Sequence, residues 1–77
     1  MNGDLVEKES EKLAALVLKE ASGDVHAAVT AAYQRTLARK PSAAELDYAL
    51  TYIAKDPERM KEIVWLLFNL DEFIYVR

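Results

Sequence analysis

The chain has 77 residues, 52% hydrophobic and 30% charged, with a net charge of −3 and no cysteine. This composition belongs to a folding domain rather than a disordered segment, and it excludes disulfides, thiolate metal centres and cysteine nucleophiles. The acidic balance gives no electrostatic reason to expect a nucleic-acid partner, and a chain this short buries only about 60% of the surface its unfolded form exposes, so a deep catalytic cleft would compete with its core.

The opening MNGDLVEKESEK is charged where the apolar stretch of a leader would stand, and no apolar run reaches the roughly 18 residues of a membrane span. Asn2 or Asp4 is placed to cap a first helix over about 4–21, which Ser22-Gly23 ends. Its apolar stripe gathers Leu5, Val6, Leu13, Leu16 and Val17. Asp24 caps the second helix, about 24–39, which stops before Pro41 because proline disfavours helical geometry in the residue ahead of it. This helix offers Val25, Ala28, Val29, Ala32, Tyr33 and Leu37, and its alanines predict that another helix approaches closely.

Ser42-Ala43-Ala44-Glu45 reads as a capping box opening a third helix, about 42–55, in which hydroxyl and carboxylate each satisfy a backbone N–H. Leu46, Ala49, Leu50 and Ile53 form its apolar face, with Tyr48 and Tyr52 one turn apart on the flank. Asp56-Pro57-Glu58 repeats the start signal, with Asp56 as cap and Pro57 at the first helical position of a fourth helix, about 57–68. Met60, Ile63, Val64, Leu67 and Phe68 give that helix so wide an apolar arc that it is expected to be the central element. The predicted architecture is all-α: one domain, a compact bundle of four helices with a short C-terminal helical turn at about 70–76.

The ending LLFNLDEFIYVR places two acids in apolar company. On an unbroken helix Asp71 falls inside the apolar arc, between Leu67 and Ile74, where an unpaired charge is costly. A break at Asn69 resolves this, with Asn69 capping a short new turn that carries Glu72 at its third position. A partner resolves it as well: Arg39 lies close to the apolar face of the second helix, and its guanidinium can meet Glu72 or Asp71 in a two-pronged contact. Both solutions can hold together.

AAYQRTLARKPSAAELDYAL (31–50) followed by IVWLLFNLDEFIYVR (63–77) resembles the C-terminal part of a planctomycete domain family of unknown function. Its members read Tyr, a few residues, Leu-x-Arg-x-Pro-Ser/Thr-x-x-Glu-Leu, and then a Trp- or His-containing stretch leading to Leu-Asn-x-x-Glu-Phe. Tyr33, Leu37, Arg39, Pro41, Glu45, Leu46, Trp65, Asn69, Glu72 and Phe73 match this pattern, and the opening is similar to the Asn-x-x-Phe/Val start that precedes it. The resemblance implies the last subdomain of a large exported or periplasmic protein, often one with a cytochrome-c-like haem domain. Other domains of that parent are then the partners. The resemblance brings no catalytic role, and the haem-binding Cys-x-x-Cys-His motif is absent from this chain.

No residue type forms a catalytic constellation. His26 is the single histidine, a surface or capping residue rather than a metal ligand. Asp71 and Glu72 are adjacent, so on a helix they diverge by about 100° and read as cap or ion-pair groups rather than an acid/base pair. Arg35, Arg39 and Lys40 suggest a phosphate patch, yet cations in a helix's last turn are favoured by its dipole. No cofactor is expected. The favoured reading is a structural or protein-interaction module whose contact residues are Tyr48, Tyr52, Trp65, Phe73 and Tyr75. The alternative is a small self-associating protein that covers the same surface with a second copy, and a ligand-binding or enzymatic domain ranks last.

Overall fold

Helix formation follows the punctuation of the sequence. The computed structural model describes residues 3–70, with side chains over 5–70, and these form α1 (Gly3–Glu20), α2 (Val25–Leu37), α3 (Ala43–Ala54), a single 3-10 turn (Pro57–Arg59) and α4 (Met60–Phe68). Among the described residues the fold is all-α, a bundle of four helices with no strand.

Each joint has its own hydrogen-bond solution. α1 closes in a Schellman motif, with Ser22 N–H on the Lys19 carbonyl and Gly23 N–H on the Leu18 carbonyl. Ser22 (φ 54°) and Gly23 (φ 84°) both take left-handed conformations, which lets the chain reverse within four residues. Asp24 then caps α2, its carboxylate accepting from Ala27 N–H. α2 stops at Leu37, two residues earlier than the spacing predicts, because Ala38 turns left-handed at φ 59° and donates its N–H to the Gln34 carbonyl. Arg39 therefore belongs to the loop and not to the helix. The fourth element starts with the Asp56-capped 3-10 turn, in which the carboxylate accepts from Glu58 N–H, and becomes α-helical at Met60.

Packing joins α1 to α2 and α4, α2 to α3 and α4, and α3 to the 3-10 turn. The core comprises Ala14 and Val17 of α1, Ala28, Val29, Ala32 and Tyr33 of α2, Ala49 and Ile53 of α3, and Met60, Ile63, Val64 and Leu67 of α4. Ala28 and Ala32 supply half of the α2 core positions, and small side chains let neighbouring helices approach closely.

One expectation about faces is corrected. Leu5 and Leu16 are exposed at 60% and 39%, while Ser10 and Ala14 join Val6 and Val17 on the buried stripe of α1. These four positions follow a 4, 4, 3 spacing that tracks one side of the helix, and Leu5 and Leu16 lie beside it. Ser10 is buried at little cost because its hydroxyl donates to the Val6 carbonyl at 2.7 Å. Thr36 repeats the device on α2, donating to the Ala32 carbonyl. α4 buries the Met60, Ile63, Val64 and Leu67 side of its arc, while Trp65 and Leu66, each 44% exposed, face away from the core.

Candidate functional site

Where α4 turns its uncovered side outward, a groove of about 490 Å³ opens between α1 and α4, flanked by α3. Glu7, Ser10 and Glu11 line it from α1, Trp65 and Leu66 from α4, and Tyr48 and Tyr52 from α3. The spacing within each helix explains this grouping. Residues 7, 10 and 11 are i, i+3 and i+4, as are 62, 65 and 66, so each set occupies one helical face. Buried Ser10 and Ile63 help form the floor, and the larger side chains rise around it.

Tyr48, 62% exposed, stacks parallel to Tyr52 with ring centroids 6.3 Å apart and planes within 4°. Tyr52 is the fixed member of the pair. Its hydroxyl donates to the Glu62 carboxylate, and the Arg59 guanidinium lies 4.5 Å above its ring while donating to the Tyr52 carbonyl at 3.3 Å. The bond to Glu62 raises the Tyr52 pKa above its ordinary 10.0, with desolvation acting in the same direction. The arrangement ties the end of α3 to the 3-10 turn and to α4, and it holds one wall of the groove in place. Arg59 and Glu62 were not marked by sequence reasoning. Their only signal was that both follow Tyr52 across a Pro-containing turn.

The remaining predicted positions lie elsewhere. Ser42 and Glu45 form a reciprocal capping box: the Ser42 hydroxyl accepts from Glu45 N–H at 3.1 Å and Glu45 Oε1 accepts from Ser42 N–H at 2.8 Å. Arg39 makes a two-pronged contact with Glu45 and lies 5.7 Å over the Tyr33 ring. The predicted contacts of Arg39 with Asp71 and Glu72 lie outside the described residues, as do Phe73, Tyr75 and the predicted turn beyond Leu70. Asn69 ends α4, and its Nδ2 donates backward to the Trp65 carbonyl at 2.7 Å. Arg35 pairs with Glu20 at 2.8 Å, tying α2 to α1, so two members of the supposed phosphate patch are engaged by carboxylates. His26 is exposed near the start of α2.

Among the described residues no cluster of three or more His, Cys, Asp or Glu side chains is arranged to hold a metal ion, and no helix is long and apolar enough to cross a membrane. Chemically the groove offers aromatic and aliphatic surface bordered by carboxylates, a combination suited to contact. Comparison of the chain with family profiles, with curated proteins and with solved structures finds no match.

Proposed function

We propose that this chain is a helical protein-interaction module whose contact surface is the groove between α1, α3 and α4. One observation carries the reading: Tyr48, Trp65 and Leu66, three of the largest apolar side chains, stand exposed around a single groove while the opposite side of α4 is fully packed. Solvated large apolar groups gathered in one place mark interaction surfaces, and aromatic residues are enriched among the anchors that dominate binding. Under the resemblance to the planctomycete family, the partner is another domain of an exported parent protein. The role is one of contact rather than catalysis.

The test expresses this chain and the remainder of the protein that its gene encodes as separate polypeptides, and follows complex formation by size-exclusion chromatography. A complex lost in Tyr48→Ser/Trp65→Ser, with helicity and melting unchanged, supports the reading. Separate elution at high concentration overturns the parent-domain assignment. A dimer of the isolated chain that dissociates in the same variant replaces it with self-association.

A further inference from the structure

We propose that the groove receives a basic amphipathic helix from its protein partner, with apolar side chains seated against Trp65 and Leu66 and with lysines or arginines facing Glu7, Glu11 and Glu62. This rests on the interaction reading above and specifies the partner's chemistry. Three carboxylates (Glu7, Glu11, Glu62) and one ammonium group (Lys61) line the groove, for a formal charge of −2. Glu7 and Glu11 stand one turn apart on α1, a like-charge spacing that disfavours the helix. Among the described residues no ion pair offsets either of them. An apolar strip bordered by uncompensated carboxylates is complementary to a helix with apolar residues on one face and cations beside them.

The dimensions agree with this occupant. A cleft of about 490 Å³ has room for a few apolar side chains of a partner, its volume lying within the ~300–1,000 Å³ of small-ligand clefts. The α4 wall from Lys61 to Leu66 spans about 8 Å of helix, which accommodates side chains from two successive turns of a partner. Charge disfavours a second copy. Two such grooves face to face would gather six carboxylates against two ammonium groups, three and one from each.

Trp65 is the only tryptophan in the chain and serves as the reporter. The probes are two synthetic amphipathic peptides of about 18 residues, long enough to hold a helix. One carries Leu and Phe on its apolar face and Lys on the other, and its twin carries Glu in place of Lys. The Lys peptide is expected to shift Trp65 emission saturably to the blue, with an affinity that falls as salt rises and exceeds that of the Glu twin about tenfold. Glu7→Lys/Glu11→Lys, both exposed positions, is expected to weaken the Lys peptide about tenfold while Glu9→Lys, outside the groove, changes it less than about twofold.

Equal binding of the two peptides, no binding of either, or unchanged affinity in Glu7→Lys/Glu11→Lys overturns the proposal. So does a dimer, seen by sedimentation, that buries Trp65. If the Trp65-dependent complex with the parent protein forms while the Lys peptide fails, the interaction reading stands and the basic-helix chemistry falls. If both fail, both readings fall.

Discussion

Arg39 and Glu45 meet across the turn that carries Pro41, Nη1 donating to Oε1 at 2.8 Å and Nη2 to Oε2 at 3.0 Å. The same Oε1 accepts the Ser42 N–H, so one carboxylate serves both the bridge and the helix cap. The Arg39 guanidinium first, and the Ser42 N–H second, hold the Glu45 carboxyl down at about 2 against an ordinary 4.5.

A depressed carboxyl pKa has a definite sign in acid. Stability from Glu45 is fully present above about pH 4.5 and is lost as the pH falls toward 2. Glu45→Gln should therefore lower stability at pH 7 and flatten the acid limb between these values, measured by urea denaturation at several pH values. Both side chains of the bridge are about a third exposed, so the bridge itself is worth about 1 kcal/mol and weakens in high salt. An acid limb unchanged by Glu45→Gln would contradict this.

Ser42→Ala removes the other half of the capping box and should cost about 1 kcal/mol. Since Ser42 and Glu45 act on each other's backbone N–H, Ser42→Ala/Glu45→Gln should cost less than the sum of the single changes. Strict additivity in thermal melts would mean that the two halves are independent.

Ala38 occupies a left-handed conformation that costs a residue with a Cβ roughly 1–2 kcal/mol. Ala38→Gly relieves that strain and adds only about 0.4–1 kcal/mol of unfolded-state entropy, so the variant should melt higher than the parent. A lower melting temperature would show that the α2 ending holds no such strain.

Tyr52 should ionise late. Difference absorbance titration of the parent against Tyr52→Phe is expected to give a midpoint above 10.0, because ionised Tyr52 would face the Glu62 carboxylate. The neutral tyrosine is the form the fold favours, so this contribution is present below pH 10 and is lost as the pH rises through the elevated value. A midpoint at or below 10.0 would rule out the Tyr52–Glu62 bond in solution.

The two sides of α4 should respond oppositely to truncation. Leu67→Ala, at a fully packed position, should cost about 2–5 kcal/mol. Trp65→Ser should change stability by no more than about 1 kcal/mol despite removing a larger side chain, since Trp65 is nearly half exposed. Comparable losses in chemical denaturation would place Trp65 in the core and remove the groove's main anchor.

How much of this was legible depended on how local each signal was. Asp24, Ser42, Glu45 and Asp56 sit where short-range cap patterns place them, because a cap is decided within three or four residues. The stripe of α1 was less legible: its leucines surround more than one side of the helix, and Ser10 is a polar residue that hydropathy assigns to solvent. Its internal hydrogen bond to Val6 makes burial tolerable, and that bond is invisible until the helix is built. Ala38 gave no warning of the α2 ending, since the left-handed position lacks the glycine that usually announces it. Of the groove, Tyr48, Tyr52 and Trp65 were legible as aromatic residues off the apolar faces. Leu66, Glu7 and Glu11 became meaningful only when α1 and α4 were seen side by side.

That pairing of α1 with α4, the most extensive in the bundle, also sets the order in which the structure can form. From Glu20 to Met60 some forty residues must be looped before these helices touch, a closure entropy that grows as the logarithm of loop length. The α2–α3 hairpin and its capped turn can assemble through short-range contacts, but Val17 and Val64 join one core only once α4 has docked. Until the last described helix docks, the part of the α1 stripe that it covers stays open to solvent.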